Sequence, residues 1–155
     1  MNRMLIVGGL LLVLSGSLYG AVYAGFFLPK VKQQHNDLLK STVDISNESP
    51  TMAKKEADHY VNNVLFANRM GSVHSHMTLI GLLALTLSNV VSKFHLSKLW
   101  MLIASISLII SGFILPLGVF LETWQKTMGS LTAMVGGSLL LVSIAIFLFG
   151  ALRAK

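Results

Sequence analysis

Four stretches of this chain carry no Lys, Arg, Asp or Glu: 4–28, 70–92, 99–121 and 127–152. Each is 23 to 26 residues long. A helix of about 20 apolar residues crosses a ~30 Å hydrocarbon layer. The stretches are continuous runs of Leu, Ile, Val and Phe, not the short alternating segments of a β-barrel. The expected class is all-α: an integral membrane four-helix bundle, one domain over residues 1–155, with a long extramembrane loop, partly an amphipathic helix, between helices 1 and 2. Composition agrees. Of 155 residues, 54% are hydrophobic and 12% charged, with a mean hydropathy of +0.71. A soluble fold this small cannot hide so much hydrocarbon, and disorder requires the opposite balance. The chain has no Cys, which removes disulfides, Cys-bound zinc and iron–sulfur clusters. Its net charge of +6 is carried on so few charges that it points to a membrane surface and not to nucleic acid.

The first span begins after Arg3, and Val22-Tyr23-Ala24 has the look of a cleavage site. Its apolar run exceeds the ~7–15 residues of a signal h-region, so an uncleaved anchor is expected. Residues 29–69 differ sharply, holding 11 of the 18 charges. Ser49-Pro50 is a helix start, with Pro at the first helical position. Ala57, Tyr60, Val61, Val64, Leu65 and Asn68 then recur at helical spacing. They predict an amphipathic helix on the membrane surface that runs into span two. Asn47-Glu48-Ser49 is formally a glycosylation sequence, which the following Pro50 disfavours. The later connections are short, so spans two, three and four are expected as sequential antiparallel neighbours.

Arg3, Lys93, Lys98, Arg153 and Lys155 fall on one side, in short segments without an acid. Their density predicts a multi-pass protein of the cell inner (plasma) membrane, with cytoplasmic termini and residues 29–69 periplasmic or extracellular.

Small residues let helix backbones approach. Gly16, Gly20 and Ala24 recur every four residues in span one, and Gly129, Ala133 and Gly137 in span four. Span three has Ser107, Ser111 and Gly118, with Pro116 as a kink. These stripes suit a compact bundle, a homo-oligomer or a subunit docked on a larger membrane complex.

Span two opens Val73-His74-Ser75-His76-Met77-Thr78-Leu79-Ile80-Gly81. Imidazoles inside a membrane helix are costly unless satisfied, which makes both histidines site candidates. Positions i and i+2 lie about 200° apart on a helix and cannot both ligate one ion. His74 shares a face with Thr78, Gly81, Ser88 and Ser92, a small and polar stripe suited to the bundle interior. His76 shares a face with Ile80, Leu83 and Leu87, an apolar wall that suits a porphyrin, lipid or a partner helix. Arg69 is expected level with Glu122, Trp124 and Lys126, where it meets either Glu122 or an anionic group such as a haem propionate. His35 and His95 read as solvated. His59, Met77 and Met134 are further candidate ligands, since imidazole with thioether suits Cu(I) or a His/Met haem.

The segment from His74 to Gly81 resembles the His-Ala-His-Leu-Asn-Leu-Leu-Gly motif of small membrane proteins related to subunit I of heme-copper oxidases and nitric oxide reductases. The resemblance covers roughly residues 69–152, and its specific part is these eight residues. It implies haem b, with His76 as axial ligand and His74 as a supporting or second-site residue. Thr78 stands where that motif has Asn, and spans three and four contain no His. The chain is therefore not expected to be an enzyme on its own.

Three functions follow. The first is a small b-type haem protein in electron transfer or a redox role, with cofactor residues His76, His74 and Arg69. The second is a non-catalytic accessory or assembly subunit of a larger respiratory or oxygenase complex in the lipid bilayer. The third is a copper-handling protein using His74, His76 and Met77.

Overall fold

The structure, a computed structural model, describes residues 2–45 and 49–153. Among them every regular element is helical. Helix α1 (Asn2–Val22) passes through one π-helical turn (Tyr23–Phe27) into α2 (Leu28–Ile45). Helix α3 (Pro50–Val90) ends in a 3-10 turn (Val91–Lys93). Helices α4 (Lys98–Leu121) and α5 (Lys126–Leu152) complete the chain. Four helical segments are thus long and apolar enough to cross a bilayer, as expected. The starts and ends of α4 and α5 fall within one residue of the charge-free stretches.

Local chemistry explains the boundaries. Ser49 is extended and Pro50 opens α3, so its missing N–H falls where no helical partner exists. The Asn47-Glu48-Ser49 sequence lies largely outside the described residues. Ser97 caps α4, its Oγ accepting from Trp100 N at 3.4 Å. Helix α4 continues past Pro116, which is buried between its neighbours.

The segment 29–69 departs from expectation. Both of its limbs are helical, and they pack on each other as an antiparallel hairpin. The reason lies in a heptad spacing. Leu28, Val31, His35, Leu38, Thr42 and Ile45 recur at alternating intervals of three and four, and none is exposed. Ala53, Glu56, Tyr60, Asn63, Ala67 and Met70 do the same on α3. Such seams bury against each other in coiled coils. The His35 and Tyr60 rings meet at a 42° tilt with centroids 4.2 Å apart, so His35 is half-buried in the seam and not fully solvated as expected. Asn63 Nδ2 donates to Gln34 Oε1 at 3.4 Å, and Ser41 Oγ donates to Glu56 Oε2 at 3.4 Å. The face expected to lie on a membrane splits in two: Ala57, Tyr60 and Val64 turn inward, whereas Val61, Leu65 and Asn68 are exposed. The 18 residues of α2 extend about 27 Å at 1.5 Å per residue.

The apolar segments form two hairpins. Helix α1 packs on α3, α5 packs on α4, and α4 lies against both α1 and α3. Their common core contains Leu5, Leu12, Ile80, Ala84, Leu108 and Phe147. Helix α5 approaches α3 mainly at one end, where Leu83 and Leu87 face Ile144, Phe147 and Leu148 across a shallow crease.

The two seams use glycine for close approach. At Gly118 a Cβ would collide with the backbone of Ala133, at Gly129 with that of Glu122, and at Gly136 with that of Leu115. Gly136, not Gly137, therefore continues the α5 stripe. Gly137 meets only Leu115 Cδ1, at 3.9 Å. On the other seam Gly9 lies against the Gly81 carbonyl, Gly16 against Thr78 and Gly20 against His74. Ala24 is exposed. The α1 stripe is thus an internal seam, already occupied by α3. Ser143 Oγ adds a buried hydrogen bond across the α4–α5 seam, donating to Ala104 O at 2.8 Å.

Candidate functional site

The hairpin end of the bundle collects the residues singled out in the sequence. His74 reaches across the α1–α3 seam, with Nδ1 2.6 Å from Gly16 O. A carbonyl only accepts, so Nδ1 is the donor. Gly20 makes room for the ring, since a Cβ there would stand 2.6 Å from His74 Nδ1. Thr78 Oγ1 lies 3.5 Å from the same nitrogen. The bundle-facing stripe read from the sequence is therefore the face that His74 occupies.

His76 points elsewhere. Its Nδ1 lies 2.7 Å from Ser72 O, one turn back on its own helix, and 2.9 Å from Ser72 Oγ. Nδ1 again must donate, and in the neutral ring Nε2 is then the acceptor nitrogen of a half-buried side chain. Metal-bound histidines characteristically have this arrangement, one ring nitrogen pinned by a carbonyl and the other free to ligate. The remaining candidates do not join it. Among the described residues no group of three His, Cys, Asp or Glu side chains could hold a metal ion. His59 is 17 residues before His76 on one continuous helix, about 25 Å away. Met77 packs against the core. Met134 is 64% exposed, on α5, the helix that packs chiefly on α4. Among the described residues the candidate histidines and methionines are therefore not brought together at one point.

Arg69 takes the first of its two expected partners. Its Nε lies 3.5 Å from Glu122 Oε2, and Nη1 donates to Glu122 O at 3.2 Å. The pair ties α3 to the end of α4. Both side chains remain partly exposed, so its stabilisation is less than ~1 kcal/mol.

Beside this pair lies a feature that the spacing arguments missed. Tyr19, Tyr23 and Phe27 from α1 and the π-helical turn face Phe66 and Met70 of α3 and Phe120 and Trp124 across a cavity of about 250 Å³. Both phenols are spent on the wall: Tyr19 OH donates to Met70 Sδ at 2.9 Å, and Tyr23 OH to Ala67 O at 3.0 Å. No histidine lines the cavity. The available signal was the clustering of aromatics at 19, 23, 27, 66, 120 and 124, all near predicted span ends. The π-helical turn, in which Leu28 N–H reaches back to Tyr23 O, had no sequence signal that periodicity could read. No protein-family model, curated protein or solved structure matches this chain.

Proposed function

We propose that this protein is a non-catalytic accessory or assembly subunit of a larger membrane complex, anchored by four spans and docking through its helical hairpin. The observation that carries this reading is the hairpin itself. Its heptad seam makes it a defined arm, yet it leaves apolar side chains uncovered: Leu39 is 46% exposed, Val61 52% and Leu65 45%. Outside a bilayer such residues offer apolar contact area to a partner surface. The oxidase-like motif suggests a respiratory or oxygenase complex as the parent. Extraction from its own membrane in mild detergent is expected to bring other membrane chains with it, at a mass well above two copies of this 16.8 kDa chain. A chain that elutes alone would contradict the reading.

In this reading the end bearing Arg3, Lys93, Lys98 and Arg153 is cytoplasmic and the hairpin is outside. Asp37→Cys is expected to react with an impermeant thiol reagent on intact cells, and Ser97→Cys only after permeabilisation. The reverse pattern would invert the topology.

A second reading is favoured by one observation, the His76 Nδ1 pinned on a backbone carbonyl, which in the neutral ring makes Nε2 the nitrogen able to ligate. Two copies of the chain, each contributing His76, would supply both axial ligands of a haem b. The purified protein would then show a six-coordinate Soret spectrum, and His76→Ala would abolish it or convert it to high spin. His74→Ala would leave the band in place, because the His74 ring lies within the α1–α3 seam against Gly16 and Gly20, away from the direction in which His76 points. Purification without any Soret absorbance would remove the haem reading and leave the docking reading standing. A copper role would need His74 and His76 to share an ion, which their opposed directions on α3 do not support.

A further inference from the structure

The end of the bundle opposite the hairpin gathers positive charge. Lys93, Lys98 and Arg153 stand there with Arg3. All six acids belong elsewhere: five lie between residues 29 and 69, and Glu122 follows the far end of α4. Between the start of α4 and the end of α5 this same end has a groove of about 550 Å³. Trp100, Ile146 and Phe149 give it an apolar wall, and His95, Ser97 and Arg153 give it a polar one. The connection that borders the groove is held in place. His95 N–H donates to Gly150 O at 3.2 Å, and Leu96 fills the space that a Cβ at residue 150 would need.

Arg153 is the organising cation. Its guanidinium carbon lies 4.1 Å from the centroid of the Phe149 ring. Stacking engages the flat face and leaves the in-plane N–H donors available for a planar or tetrahedral anion. The salt bridge among the described residues is the distant Arg69–Glu122 pair, so no carboxylate in them neutralises Arg153.

We infer that this groove holds an anionic phospholipid. Its phosphate sits on Arg153, with Lys98 adding to the field, and one acyl chain lies along Trp100, Ile146 and Phe149. The two-part lining selects this occupant. A zwitterionic lipid gains little from a basic end where no described carboxylate meets Arg153, and a free phosphate gains nothing from the apolar wall. Basic pockets between membrane helices on the cytoplasmic side recognise anionic headgroups on the same grounds.

The test uses the full chain in neutral detergent. Phosphatidylglycerol and phosphatidylcholine with identical acyl chains are titrated, and retained lipid is counted by native mass spectrometry. Phosphatidylglycerol is expected to be retained in preference, with inorganic phosphate giving no protection against its loss. Arg153→Gln is expected to weaken that retention about tenfold, the equivalent of one charge-assisted hydrogen bond. Trp100→Ala is expected to weaken it without restoring phosphatidylcholine binding. Lys126→Gln, at the other end of α5, serves as the charge-matched control and is expected to leave it unchanged. Equal retention of the two lipids, displacement by inorganic phosphate, or an Arg153→Gln variant that keeps its preference would each overturn the assignment.

Discussion

Valine at position 118 is expected to pry α5 away from α4 and to cost the protein more than about 3 kcal/mol, beyond the usual range for overpacking. The argument is geometric. A Cβ at residue 118 would collide with the backbone N and Cα of Ala133, and backbone cannot swing aside as a side chain can. Every partial escape costs something specific. Sliding α5 along α4 breaks the buried Ser143–Ala104 hydrogen bond, and tilting it opens the contacts at Gly129 and Gly136. Helix α5 has no second broad interface to hold it, because it packs chiefly on α4. Gly118→Val should therefore give a protein that inserts but loses its thermal transition in detergent. Gly137→Val is the matched control. Its Cβ meets only Leu115 Cδ1 at 3.9 Å, and the change should stay within about 1 kcal/mol. A Gly118→Val protein that melts like the parent would show that the α4–α5 seam is not built as described.

The same pair of glycines shows where the sequence could be read and where it could not. Small residues at intervals of four announced both seams, and Gly16, Gly20, Gly129 and Ala133 all lie in them. The third member failed each time. A step of eight residues drifts about 80° around a helix, whereas a step of seven drifts only about 20°. Gly136 thus replaces Gly137, and Ala24 turns out to be exposed. The four long apolar helices were legible because a continuous charge-free run of this length reads as a helix able to cross a bilayer. The hairpin was not, because His35 and Thr42 on α2, with Glu56 and Asn63 on α3, occupy seam positions that a search for apolar residues passes over. Among the described residues Asn63 Oδ1 is buried without a hydrogen-bond partner. The facing of His74 followed from its small and polar neighbours. The carbonyls that pin both imidazoles could not be read from spacing, since backbone acceptors leave no mark in a sequence.

The uncovered hairpin residues carry the functional account, and changing them has the second large expected effect. Leu39, Val61 and Leu65 lie outside the heptad seam, so Leu39→Ser, Val61→Ser and Leu65→Ser together should leave the hairpin folded. Burying a Val or Leu side chain is worth about 1.5–3 kcal/mol. Even after the ordering costs of association, losing three such contacts should lower complex occupancy by more than about a hundredfold. The decisive measurement is native electrophoresis of mildly solubilised membranes, comparing the parent chain with this triple variant at equal expression and equal helicity. The account predicts that the parent migrates in a defined complex with other membrane chains and that the variant is released from it. A variant that remains in the same complex, or a parent that migrates free, would contradict docking through the hairpin.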